Sequence, residues 1–146
     1  MTAPGRILIT EEDVAPHVRA MRTIAVLGIK DARDPDAPAF SVPEELQRLG
    51  KQIVGINPRI AEALGAPTIA SLAELPAAVD ILDVFRRSDA LPGITDELLA
   101  LAPEKRPRLI WFQSGIRHEE SAQRLAAAGF DVVQDRCLAV YAHRYR

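Results

Sequence analysis

The run Thr23-Ile24-Ala25-Val26-Leu27-Gly28 constrains this chain more than any other stretch. An apolar run of that length, rich in β-branched residues and closed by glycine, is the pattern of a central strand in a parallel sheet, buried on both faces. The glycine lets the chain turn tightly and lets a ligand approach the backbone. The form recurs in Gln52–Ile56 tipped by Asn57-Pro58-Arg59, and in Asp80–Phe85 tipped by Arg86-Arg87-Ser88. It recurs again in Arg108–Phe112 before Gln113-Ser114-Gly115, and in Asp131–Gln134 before Asp135-Arg136-Cys137. Between the strands, apolar residues return at helical spacing. Val42, Leu46 and Leu49 follow a capping box at Ser41-x-x-Glu44, with Gly50 closing the helix. Leu91, Ile94, Leu98 and Leu101 form a second face, and an Ala-rich segment from Arg117 to Ala128 forms a third. Strands alternating with helices predict an α/β chain with a doubly wound parallel sheet, three αβα layers and right-handed crossovers.

The segments outside this alternation carry weaker patterns. Residues 1–9 read as a tail, and Val14, Val18 and Met21 place a helix over Thr10–Met21. Asp13 as N-cap would put Pro16 in its first turn, where no amide partner is lost. Residues 1–22 are thus expected to adorn a domain spanning 23–146. Gly28–Ala39 is a long loop rich in Pro and Asp. Ile60–Leu64 reads as a short helical turn, Thr68–Ala70 as a small strand, and Ser71–Glu74 as a capped turn. The last residues, Tyr141–Arg146, read as a tail.

Composition narrows the function classes. A chain of 146 residues is long enough for one self-sufficient core. A net charge of −2 argues against a general nucleic-acid binder. No run approaches the length that spans a membrane, and the N-terminus lacks the apolar core of a signal peptide. The single cysteine, Cys137, excludes an intrachain disulfide and fits a reducing, cytoplasmic compartment.

If the sheet is parallel, the strand tips gather at its carboxyl edge, where open α/β sheets bind ligands. The dinucleotide fingerprint needs three glycines, but Gly28 is followed by Ile29, Lys30, Asp31, Ala32 and Arg33. Where that fingerprint wants an acid for the ribose diol, this chain has Asn57-Pro58-Arg59. An arginine there suits a ribose phosphate, which disfavours NAD and leaves NADP and coenzyme A. Arg86 and Arg87 would repel each other unless an anion or carboxylates sit between them; Asp83 and Asp89 are the internal candidates. Gln113-Ser114-Gly115 offers amides at a helix entrance. No catalytic set emerges: His17, His118 and His143 lie apart, without metal-ligand spacing, and fit solvated or capping roles. Cys137 is either an inert buried thiol or, beside Arg136, a reactive one.

With these tips read, the chain resembles the small stand-alone CoA-binding proteins. These are single Rossmann-like domains similar to the CoA-binding domain of the succinyl-CoA synthetase α subunit. The matching pieces are residues 23–28, Asn-Pro-Arg at 57–59, Asp-Ile-Leu-Asp-Val-Phe-Arg-Arg at 80–87, Trp-Phe-Gln-Ser-Gly-Ile-Arg at 111–117 and Asp-Arg-Cys at 135–137. The resemblance implies that the 3′-phospho-ADP part of CoA lies across the carboxyl edge. Gly28, Ile29 and Lys30 would line the first loop, and Asn57, Pro58 and Arg59 would meet the adenosine and its phosphate. Val84, Phe85, Arg86 and Arg87 would flank the adenine and phosphates. Gln113, Ser114 and Gly115 would border the pantetheine path, with Cys137 close by. It implies a small-molecule ligand, CoA or a thioester, and no catalytic residue. An NADP-dependent oxidoreductase, or a thiol carrier using Cys137, are the alternatives from other classes.

Overall fold

The computed structural model describes residues 3–146. Five parallel strands form one sheet in the order β2-β1-β5-β6-β7: β1 (Thr23–Leu27), β2 (Gln52–Ile56), β5 (Ile81–Val84), β6 (Leu109–Phe112) and β7 (Asp131–Val133). β1 and β5 are buried almost end to end, as central strands with continuous apolar runs must be. One face is covered by α1 (Glu11–Ala20), α2 (Pro38–Arg48) and α5 (Leu138–Arg144), through Val14, Val18, Val42, Leu46 and Leu138 packed on Ile24, Val26 and Trp111. The other is covered by α3 (Leu91–Leu99) and α4 (Glu119–Ala127), through Leu91, Ile94, Leu98 and Leu125 packed on Ala25, Leu82 and Ile110. This is the three-layer, doubly wound arrangement that the alternating pattern predicts. β1 runs to β2 on one side, and the chain then returns to place β5 on β1's other side. The strand order therefore reverses between β1 and β5, and the crevice outside their carboxyl ends is where such sheets take ligands.

Several local expectations are corrected. α1 is capped by Thr10, whose hydroxyl accepts from the Asp13 amide at 3.2 Å, so Asp13 is not the N-cap and Pro16 lies inside the helix. Three acids in the first turn favour that earlier start, and Pro16 stands on the exposed side, where its lost hydrogen bond leaves a carbonyl to water. α2 begins at Pro38 after Ala37, leaving Ser41 and Glu44 inside the helix and not in a capping box. Proline's fixed φ pre-sets the first helical position and outweighs the Ser-x-x-Glu signal. Residues Ile60–Leu64 hold no helical turn. Instead β3 (Glu62–Ala63) and β4 (Ala66–Pro67) form a small hairpin around Leu64 and Gly65, at φ +51° and +83°. The strand expected near Thr68 is reduced to one parallel bridge, Ile56 to Ile69.

Neither terminal segment is a tail among the described residues. Ile7 bridges Val132 at the β7 edge, and Gly5 comes so close to Phe130 that a Cβ there would lie 1.9 Å from its carbonyl oxygen. At the other end, Leu138, Ala139 and Ala142 are buried in α5. The capped turn at Ser71–Glu74 is present, with the Glu74 carboxylate accepting from the Ser71 amide at 3.0 Å.

Candidate functional site

The strand tips are stitched together one residue past β1, β5 and β6 and three residues past β7. Gly28 donates to the Ile56 carbonyl, Phe85 to Leu27, Gln113 to Val84 and Arg136 to Phe112. Gly28 has φ +88°, and a Cβ there would meet the Phe85 carbonyl oxygen at 2.7 Å. Only glycine lets the β1 and β5 tips approach this closely. From this junction the loops diverge and leave a cleft of about 450 Å³ on the α2 side. Lys30, Phe85, Arg86, Arg87, Gln113, Ser114 and Gly115 line it, joined by Ala37–Ala39, Ser88 and Ile116. A second cleft of about 300 Å³, lined by Leu27, Pro58, Leu72, Ala90 and Ile94, opens on the α3 side, and Arg86 borders both. Both fall in the size range of small-molecule sites.

The electrostatics of the main cleft are cationic. Lys30 and Arg86 are exposed and have no carboxylate partner among the described residues. Arg87 has only an exposed contact with Asp89, at 3.4 Å. Asp83, the other internal candidate, pairs with neither arginine: it is wholly buried, and burial pushes its carboxyl well above the usual range. The N-terminal end of α2, at Ala37–Ala39, also borders the cleft and adds the positive end of a helix dipole.

Not every expected residue reaches the cleft. Ile29 and Val84 are fully buried, Ile29 beneath the hairpin and Val84 on the opposite face. The Asn57 side chain is committed to scaffolding, donating to the Ile29 carbonyl at 2.8 Å and accepting from the Arg59 amide at 2.8 Å. Gln113 forms part of the floor while its side-chain Oε1 accepts from the Leu138 amide at 3.2 Å. Gly115, at φ +81°, donates its amide to Asp135 at 2.6 Å. Arg59 faces a separate groove of about 700 Å³ between Asp31–Arg33 and the β3–β4 hairpin. In that groove the Arg33 guanidinium bonds Asp31 and holds its carboxyl below the usual range. Cys137 opens α5, half-buried, and does not line the cleft.

Some lining residues lie outside the expected site. Ala37–Ala39 enter because α2 starts early, for which Pro38 was the available signal. Ser88 accepts from the Arg117 amide at 3.0 Å and ties the β5 and β6 tips together. Among the described residues no cluster of His, Cys, Asp and Glu is arranged for a metal, and His118 caps α4 by accepting from the Ser121 amide at 3.1 Å.

An open parallel sheet with helices on both faces and a cationic cleft at its switch point defines a Rossmann-like α/β domain. The chain belongs to the CoA-binding domain family, which it matches over residues 22–143. It is 35% identical over 131 residues to the uncharacterized protein YneT of Bacillus subtilis, covering 90% of this chain and 93% of that protein. Among solved structures it is similar to cell-free ID.343 of Thermus thermophilus, at 41% identity and TM-score 0.84, covering 94% of this chain and 100% of the other. A conserved hypothetical protein of Pyrococcus furiosus shares 26% identity at TM-score 0.72, covering 82% of this chain and 98% of that one. Among the described residues no helix is long and apolar enough to cross a membrane.

Proposed function

We propose that this protein binds coenzyme A or a CoA thioester at the carboxyl edge, holding it without catalysis of its own. The observation that carries the reading is Arg86, an exposed guanidinium at the β1–β5 switch point that borders two adjoining clefts and has no carboxylate partner among the described residues. A polyanion spanning both clefts would satisfy it, and family membership makes CoA the anion of choice. In this reading Lys30, Arg86 and Arg87 hold phosphates. Gly28 sets the backbone approach, Pro58 borders the adenosine end, and Phe85, Gln113, Ser114 and Gly115 line the path of the pantetheine arm. Arg59, on the far side of the first loop, contributes to the 3′-phosphate only if that end of the ligand reaches past Pro58. A cytoplasmic setting belongs to the same reading.

Isothermal titration with CoA and with 3′-dephospho-CoA tests it. A charge-assisted contact is worth about 1.5–3 kcal/mol, so CoA is expected to bind about ten-fold or more tighter. Equal affinities would remove the 3′-phosphate from the cationic edge. Failure of both ligands to bind would overturn the reading.

A further inference from the structure

Asp83 lies in β5, at the switch point, wholly buried and with neither carboxylate oxygen hydrogen-bonded. Its partners in register are Val26 of β1 and Trp111 of β6, so these three side chains share one face of the sheet. Two residues further along the same strands stand Gly28, Phe85 and Gln113. Phe85 and Gln113 line the main cleft, which puts Asp83 in the layer directly beneath its floor, about 6–7 Å down the strand.

Among the described residues no group balances a charge on it. On α2 Arg48 pairs with both Glu44 and Glu45, and Glu45 also takes His143 of α5. On α5 and the turn before it, Tyr141, Arg144 and Arg136 converge on Glu11 of α1. Elsewhere on α1, Asp13 pairs with Arg6 and His17 with Asp131, Arg19 lies over the Tyr145 ring, and Glu12 is exposed. At the tips Lys30 and Arg86 are exposed. None of these groups hydrogen-bonds Asp83, and burial alone displaces its titration upward.

We propose that Asp83 is a proton-linked positioning residue that sets an upper pH limit on the cleft. The ligand-competent protein carries it as the neutral acid, and its ionisation opposes both the sheet packing and an anionic ligand at the tips. The second half rests on the CoA reading; the first does not. Because the folded protein holds this proton more tightly than the unfolded chain, the sign is fixed. Stability contributed by the site is greatest below the ordinary carboxylate range. It declines as pH rises, and levels off once the folded carboxyl ionises. Above that point a buried negative charge stands beneath the phosphates.

The test compares wild type with Asp83→Asn and Asp83→Leu, so that one misfolding variant does not end it. Ligand-free unfolding is measured from pH 5 to 10, with CoA titrations across the same range. The stability of wild type relative to the variants is expected to fall, by up to about ten-fold in the unfolding constant per pH unit, and then level off. Above the levelling pH its CoA affinity is expected to drop relative to theirs. The phosphate titrations of CoA itself are common to all three proteins and cancel. Parallel stability profiles would overturn the proposal. So would a gap still widening at pH 10, or levelling with no change in relative affinity. CoA binding to none of the three proteins would overturn the ligand reading and the anion half with it, while the stability profiles judge the buried acid alone.

Discussion

Two groups of cations in this molecule have opposite fates. At the α1–α5 seam, Glu11 accepts from the Tyr141 hydroxyl at 2.6 Å and the Tyr145 hydroxyl at 3.1 Å, and pairs with Arg136 and Arg144. Arg144 also lies 5.0 Å from the centre of the Tyr141 ring. Every charge there has a partner within the chain. At the carboxyl edge Lys30 and Arg86 have none among the described residues, although Asp83 is three residues from Arg86 in sequence. The seam is a clasp that joins the first helix to the last. In the proposed reading the edge is the receptor, its cations reserved for the ligand's phosphates.

Breaking the edge by shape is expected to have the largest effect. Gly28→Val puts a β-branched residue at positive φ, with its Cβ against the Phe85 carbonyl, and is expected to cost on the order of 3 kcal/mol of stability, read by urea unfolding. Breaking it by charge comes next. Arg86→Ala is expected to weaken CoA binding by roughly 1–3 kcal/mol with little change in melting temperature, and unchanged affinity would remove Arg86 from the site. At the seam the pattern is expected to reverse, with Glu11→Gln lowering the melting temperature and leaving CoA affinity intact. The Tyr141 hydroxyl, followed by Tyr145 and Arg144, holds the Glu11 carboxyl below its ordinary value of 4.5. Its contribution is therefore present above that value and lost as pH falls below it, so wild type and Glu11→Gln should converge in acid. The smallest effect is expected from Lys30→Ala, a loss of affinity within about 1 kcal/mol, since an exposed ammonium is screened by solvent.

The sheet was legible in the sequence because each strand is a short apolar run with a polar or glycine tip, and that signal survives without tertiary context. α5 was not, because Leu138, Ala139 and Ala142 alternate with Tyr141, His143 and Arg144, whose polar ends hide a short buried face. The β3–β4 hairpin turns on Leu64 at positive φ, which residue type alone does not announce. The tips that gather at the edge could be read from strand order. Which side chains face the cleft could not. Ile29 is drawn under the hairpin to cover Gly55, whose missing Cβ leaves room for it. Asn57 is taken by the backbone around it. Those outcomes depend on packing between segments far apart in the chain.

What the carboxyl edge binds is measured most directly by a thermal-shift panel with CoA, acetyl-CoA, NAD and NADP at equal concentration. A ligand at about 100 times its Kd stabilises the fold by about 2.7 kcal/mol, several degrees for a chain of this size. CoA, or its thioester, is expected to raise the melting temperature of wild type and to do so less for Arg86→Ala. A shift with NADP and none with CoA would contradict the CoA reading.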